Sequence, residues 1–278
     1  MRYLKEVLGA RELLVNLTLR EVRGKYKRTV FGQLWSLVNP LILMVIYTFI
    51  FGFIFRLQPD PGNPSGRDVF ALWLLCGLLP WTFFSSLINQ AMGSIVWNAN
   101  LIQKVHFTRI VLPLSIVGSV GFSWLFEMGV LVVALAITNY VVLLWLPGVL
   151  LAMVLLALFG TGVALILAIA NVHFRDTEYL TSLLLQFWMY LTPIIYPVNL
   201  VAQQSAAIGG LLGTPVTLLD IYRLNPMFHF VDLFRQLLYD NRWPDVPTVL
   251  ICTAWALIVF ALGVIVFHRN EKKLAEIL

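Results

Sequence analysis

Five cations crowd one short stretch near the start of this chain: Arg20, Arg23, Lys25, Lys27 and Arg28. Clustered Lys and Arg bind phosphate, and two sources fit. One is the anionic surface of a membrane, at roughly 1 kcal/mol per cation, and the other a phosphate-bearing substrate held at headgroup level. A second polar group, His173-Phe174-Arg175-Asp176, sits between two apolar runs. Glu127 is the only charged residue placed well within a hydrophobic stretch. An ionised group there costs roughly 3 kcal/mol on insertion scales, so it must face protein or water, or keep its proton. A proton relay would need further acids inside the apolar stretches, and the sequence has none. The last group is aromatic: Tyr47, Phe49, Phe51, Trp73, Trp81, Phe83, Phe84, Phe187, Trp188, Tyr190 and Tyr196. Flat rings stack on the CH faces of sugars without fixing the sugar's identity. Tyr47, Phe51, Trp81, Phe84, Trp188, Tyr190 and Tyr196 are therefore candidates to line a path, although Trp and Tyr also collect at membrane interfaces for their own reasons.

Other chemistries lack their residues. The sequence contains no G-x-x-x-x-G-K-[ST] loop, no G-x-G-x-x-G and no H-E-x-x-H, so any work the protein does draws its energy from elsewhere. Cys76 and Cys252 lie in apolar stretches without metal or redox spacing, and read as core residues.

The elements that carry these groups are set by hydropathy. The chain is 60% hydrophobic and 12% charged, with mean hydropathy +0.86, against roughly 25% charge in soluble domains. A soluble fold is excluded, and the basic balance belongs to a membrane surface and not to nucleic acid. About 20 apolar residues cross a bilayer as a helix, and the sequence predicts six such spans at about 34–55, 70–96, 110–138, 147–171, 180–196 and 248–267. Pro80 is expected to break the second. Fourteen of the 19 Lys and Arg then fall on cytoplasmic segments and five outside, which places both termini in the cytoplasm. The first apolar run begins too deep and runs too long for a cleavable signal peptide.

Residues 1–32 read as a cytoplasmic interfacial helix and 33–278 as the six-span transmembrane domain. In the helix Leu4, Val7, Leu8, Leu14, Val15, Leu19, Val22 and Tyr26 share one side, with Lys5, Glu12, Asn16, Arg20, Arg23 and Lys27 opposite. Arg11 and Leu13 break that pattern. Anchoring to lipid and docking to a soluble partner are both compatible with it. Between spans five and six, the external segment 198–247 is too long for a plain loop. Residues 198–212 are expected to form a re-entrant hairpin. Asn225-Pro226 starts an amphipathic helix whose stripe is Phe230, Val231, Phe234, Leu237 and Leu238, with Asp232, Arg235 and Gln236 opposite. The fold class is thus all-α integral membrane, with an amphipathic cytoplasmic helix and external helices.

Five segments, in order and over nearly the whole chain, resemble one family. They are Arg23-Gly-Lys-Tyr-Lys-Arg-Thr-Val-Phe-Gly-Gln-Leu-Trp-Ser-Leu-Val-Asn-Pro40, Leu101-Ile-Gln-Lys-Val-His-Phe-Thr-Arg-Ile-Val-Leu-Pro113, Asn171-Val-His-Phe-Arg-Asp176, Thr192-Pro-Ile-Ile-Tyr-Pro197 and Leu224-Asn-Pro-Met227. The family is the membrane permease of ABC polysaccharide exporters, which move lipid-linked O-antigens, capsules and teichoic acids. Thr108 departs from it, standing where proline usually precedes the basic residue. The resemblance implies a six-span homodimer driven by two copies of a separate ATPase, which binds ATP and magnesium, while this chain holds no cofactor. It implies that the N-terminal helix, through Arg11 and Arg20, and the turn His173, Phe174, Arg175 and Asp176 contact that ATPase. Residues 101–109, with Lys104, His106, Phe107 and Arg109, resemble the family's cytoplasmic gate. There and at Arg23, Lys25, Lys27 and Arg28 the lipid-linked glycan would come in. A permease for drugs or small molecules shares the plan. A secondary transporter or channel is disfavoured by the lack of an inverted repeat and of charge pairs within the spans.

Overall fold

The computed structural model describes residues 9–27, 29–57, 59–105, 107–210, 215–271 and 274. Arg28 and His106 lie outside them, as do the first residues assigned to the interfacial helix. The described residues contain helices and no strand. In chain order these are α1 (Arg11–Tyr26), α2 (Trp35–Tyr47), α3 (Phe70–Trp97), α4 (Ala99–Lys104), α5 (Val111–Thr138), α6 (Leu146–His173), α7 (Thr177–Tyr190), α8 (Val198–Ile208), α9 (Leu218–Leu224), α10 (Pro226–Arg235) and α11 (Val246–Asn270). A 3₁₀ turn precedes α2, and π turns extend α2 to Ile54 and α10 to Asp240.

Five helical stretches are long and apolar enough to cross a bilayer: Gly32–Ile54, Phe70–Trp97, Val111–Thr138, Tyr140–His173 and Val246–Asn270. They match five of the six expected spans closely. The third and fourth are divided where expected, at Asn139, whose side chain accepts the Val141 N–H at 3.0 Å and starts the 3₁₀ turn Tyr140–Trp145. Pro80 does not interrupt α3, which is helical throughout. The stretch 180–196 differs from expectation. Its helix α7 has 14 residues, about 21 Å at 1.5 Å per residue, short of the roughly 30 Å hydrocarbon core. Pro193 and Pro197 supply no N–H, and residues 191–196 turn before α8 begins.

Burial ranks the helices. In the most apolar window of α3, 72% of residues are buried, against 6% in the window that contains α2. So α3 is the axis of the bundle, and α2 rides on its flank. Rings lock the axis in place: Phe83 stacks on Trp124 of α5 at 3.9 Å, and Phe84 on Phe159 of α6 at 5.3 Å, which stacks in turn on Phe230 of α10. The closest helix approach is α6 against α11, through Gly162 and Gly263. A Cβ on Gly162 would strike the Val259 carbonyl, and one on Gly263 the Gly162 carbonyl. Small residues at such a crossing let backbones meet, which is how helices gain contact where no hydrophobic effect drives them together.

A second buried cluster closes one end of the bundle. It joins Leu17 of α1 with Ile95, Ile102, Ile110, Val172, Phe267 and Leu274. The N-terminal helix, the far ends of α3, α6 and α11 and the start of α5 therefore share one face. The side of α1 that docks on the bundle coincides only in part with its apolar stripe. Leu17 is buried and Leu13, Leu14 and Thr18 are half-buried, while Val15 and Leu19 are 56% and 42% exposed. Thr18 lies over Gly118 of α5, where a Cβ would meet its methyl at 2.8 Å.

At the α6–α11 crossing, Gly162→Ala should cost on the order of 3 kcal/mol by overpacking against backbone. Gly121→Ala, where nothing lies within 4 Å of the new Cβ, should be neutral or slightly stabilising. Thermal unfolding of the two variants in one detergent measures the contrast.

Candidate functional site

The seven candidate path aromatics occupy one side of α3, in two layers. The inner layer is core: Trp81 is 3% exposed and Phe84 0%. Trp188 of α7 meets both edge-on, at 6.1 Å and 5.4 Å. These three rings brace α7 against α3 and offer a ligand little free face. The outer layer is tyrosine. The side chains of Tyr47 of α2 and Tyr190 of α7 face each other, the Tyr196 hydroxyl donates to the Tyr190 carbonyl at 2.6 Å, and it lies 3.0 Å from the hydroxyl of Tyr222 on α9. Tyr190 is 52% exposed. Phe51 extends the layer one turn along α2, 6.2 Å from Tyr47. A band of rings with hydroxyl edges thus runs between α2, α7 and α9. Tyr222 is a member that sequence inspection missed, because nothing in its spacing ties it to Tyr196.

Asn225 holds this band to the bundle. Its Oδ1 accepts the Met227 N–H at 3.0 Å, capping α10, and also the Trp188 indole N–H at 2.8 Å. Its Nδ2 donates to the Leu191 carbonyl at 3.3 Å and the Thr192 hydroxyl at 2.9 Å. The cap was legible in Asn225-Pro226, but its reach across to α7 was not. The expected stripe of α10 is buried at Phe230, Val231, Phe234, Leu237 and Leu238. Its opposite side is not free either, with Arg235 and Gln236 at 8% and 2% exposure. Arg235 donates to the Pro193 and Ile194 carbonyls at 2.7 and 2.8 Å and lies 3.6 Å over the Trp73 ring. The expected hairpin begins as α8, which ends at Gly209 with φ +74°. It is tied to α9 by the Leu219 N–H to Ser205 Oγ bond at 3.1 Å. A reciprocal Thr217–Asp220 pair caps α9 and holds the Asp220 carboxyl below its usual range.

The other face carries the basic and turn residues. His173, Phe174, Arg175 and Asp176 form an exposed corner between α6 and α7. Phe174 is 69% exposed, and the His173 Nδ1 lies 2.9 Å from the Ile169 carbonyl. Arg11, Arg23, Lys25 and Lys27 are exposed along α1 and just beyond it. Arg20 instead reaches Glu21 at 2.6 Å and Asn98 Oδ1 at 3.2 Å, which ties α1 to the end of α3. In the 101–109 segment Lys104 is exposed and Phe107 half-buried. Arg109 donates to the Glu271 carbonyl and so caps α11. That cation is occupied by the fold.

Glu127 faces a polar cavity of about 210 Å³ between α1, α2, α3 and α5, with Ser36, Asn39, Thr82, Ser86 and Ser123 on its walls. Ser36 stands beside its carboxyl group while donating its hydroxyl to the Gln33 carbonyl at 2.9 Å, and Lys25 contributes positive charge nearby. An acid inside a span with polar neighbours is what the insertion cost requires. Cys76 and Cys252 are buried thiols.

The sequence profile of a family described as ABC-2 type transporter matches residues 12–239. The chain is 30% identical over 268 residues to the O-antigen export system permease protein RfbA of Klebsiella pneumoniae, covering 96% of this chain and 95% of that protein. It is 28% identical over 278 residues to the protein of the same name from Myxococcus xanthus, covering 99% of each. Against the polysialic acid transport protein KpsM of Escherichia coli the identity is 24% over 267 residues, covering 92% of each.

Asn225→Ala removes both a helix cap and the Trp188 acceptor, at a cost of about 1–2 kcal/mol. Asn225→Asp keeps the acceptor and should retain most of that stability. Thermal unfolding ranks the pair, and acrylamide quenching of tryptophan emission should rise in Asn225→Ala alone.

Proposed function

The chain belongs to the ABC-2 type transporter family, and from that premise we propose that its cargo is a lipid-linked polysaccharide of the cell envelope, exported across the cytoplasmic membrane. The observation that carries this reading is full-length similarity to O-antigen and polysialic acid permeases in a chain with an aromatic band. Rings that grip sugars through their CH faces, with hydroxyl edges for hydrogen bonds, tolerate many sugars and let a chain advance.

The sixth crossing is made by α7 and the turn after it. The corner before α7 lies at the end of α6, on the face that holds α1 and the end of α11, so the chain must return to the opposite face before α11 begins. Both termini are then cytoplasmic, in line with the excess of Lys and Arg on that side. The external helices α8 to α10 stand at the exit of the route.

Two copies of the chain and two copies of an ABC ATPase make the working transporter. The interior of one copy is filled by stacked rings, whereas α2 leaves an apolar face of Ile42, Val45, Phe49 and Phe53 uncovered. A two-fold pairing of bundles encloses a wider passage than six helices of one chain. The corner His173 to Asp176 and the cations of α1 meet the ATPase, which binds ATP and magnesium. A rigid corner between two helices transmits a push better than a long loop. Lys104, Phe107 and the cations at Arg23, Lys25 and Lys27 receive the phosphate-bearing end of the substrate at headgroup level.

Arg175→Glu reverses the charge of the corner without touching buried contacts. ATPase co-purification and surface glycan should each fall at least tenfold while membrane insertion stays normal; both remaining intact would overturn the coupling role. Depletion of the chain should cause undecaprenyl-linked glycan to accumulate inside the cell, detected by lipid extraction and mass spectrometry.

A further inference from the structure

The polar side of α10 opens on a pocket of about 420 Å³, on the face of the bundle opposite α1. Its walls carry the carboxylates Asp60, Asp232 and Asp240, the guanidinium of Arg242, the amide of Asn199 and the indole of Trp73, with Arg235 behind them. The volume lies in the range of about 300–1,000 Å³ usual for small-molecule sites. Three carboxylates against two guanidinium groups make an unsuitable bed for phosphate or a polyanion. The carboxylates are also too dispersed for a metal, since among the described residues no group of three His, Cys, Asp or Glu could hold one.

What these groups suit is a ring bearing several hydroxyls. Each hydroxyl can donate to a carboxylate and accept from a guanidinium or amide N–H, so planar side chains hold adjacent hydroxyls in pairs. Two lining residues still carry a buried polar atom without a partner, Asn199 Oδ1 and Arg235 Nε. Arg235 is itself only 8% exposed, and unsatisfied buried groups of this kind call for a missing partner. Asn199 Nδ2 is 3.4 Å from both Asp60 oxygens, a long contact that a hydroxyl could shorten by bridging. Burial also raises the carboxyl groups of Asp232 and Asp240 above their usual range, a penalty that donated hydrogen bonds would relieve.

The pocket wall follows directly along the chain from Tyr196 of the tyrosine band. Arg235 grips the Pro193 and Ile194 carbonyls in the turn that presents Tyr196, and the next residues, Pro197 and Asn199, are pocket wall. We propose that this pocket binds uncharged hexose units of the exported glycan as they leave the tyrosine band, an inference that rests on the export reading and assigns it an outer sugar subsite. A subsite there holds the emerging chain against backward slip while the transporter resets.

The test uses the full chain with its ATPase in lipid nanodiscs. The probe is the oligosaccharide repeat released by mild acid from the source organism's own surface glycan. Saturation-transfer NMR should detect saturable binding to the wild type, weakened at least tenfold in the double variant Asp60→Ala, Asn199→Ala with unfolding temperature unchanged. A second variant, Asp240→Asn, should weaken binding while keeping the side chain's size. Equal binding by wild type and both variants overturns the subsite and leaves export untouched, as does no saturable binding in a protein that still exports glycan in cells. Surface glycan that persists when the chain is deleted removes the export reading itself, and the subsite with it.

Discussion

A helix that ends within or beside a bilayer leaves backbone carbonyls and N–H groups where water cannot reach them, and each must be satisfied by protein. The outer half of this bundle is built from such ends. Arg67 answers most of them. It is 6% exposed and donates to the Leu135 and Asn139 carbonyls at the end of α5, and to the Leu238 and Tyr239 carbonyls at the end of α10. Further bonds reach Thr138 and Asn241. One guanidinium therefore closes two helices at once, and the Tyr239 hydroxyl donates back to the Arg67 carbonyl at 2.9 Å. Arg235 does the same for the turn after α7, and Asn225 for the start of α10. Without these three side chains the end of α7 and both ends of α10 would lose the partners that fix where they stop.

That constraint decides which groups remain for function. Arg67 and Arg235 on the outer face are consumed as caps, so these two are fixtures and not ligands for a passing anion. On the α1 face the division is similar. Arg109 caps α11 and Arg20 ties α1 to Asn98, while Arg23, Lys27, Lys104 and Arg175 stand at the surface. The polar groups available along the membrane-facing side are then hydroxyls, chiefly those of the tyrosine band and of the cavity at Glu127. A substrate path lined by hydroxyls and ring edges suits uncharged, heavily hydroxylated cargo.

Hydropathy alone placed five spans nearly to the residue, because apolar length is the one property a bilayer demands of a helix. At 180–196 it read one continuous helix, whereas α7 ends at Tyr190 and the apolar run continues through a turn. Leu191, Ile194 and Ile195 are as greasy as a span, but Pro193 and Pro197 on either side give the backbone no N–H to continue the helix. The docked face of α1 follows the helix's apolar stripe only in part. Val15 and Leu19 point away from the protein, as apolar residues do when the surrounding medium is itself apolar. The same ambiguity hides which rings line a path. Trp81 and Tyr190 sit in equally hydrophobic surroundings in the sequence, yet one is core and the other half exposed. Long-range caps such as Arg67 to Leu238 have no sequence signal, since a buried Arg and a topogenic one look alike until the fold brings carbonyls to it.

The filling of the interior carries a further consequence for how cargo moves. From Phe83 and Trp124 through Phe84, Phe159 and Phe230 the rings stack at centroid distances of 3.9 to 5.4 Å, and the α6–α11 crossing admits no side chain at Gly162. Opening a route through this core would break the contacts that hold the axis helix, at the cost known for emptying packed interiors. The flank between α2 and α7 is different. There α2 has little buried surface and is joined to α7 through the pair Tyr47 and Tyr190, and a hydroxyl pair exchanges partners with sugar hydroxyls at small net cost. A route that runs along the flank needs only those weak contacts to yield while the core stays intact, so the chain can pass cargo repeatedly without approaching its own unfolding.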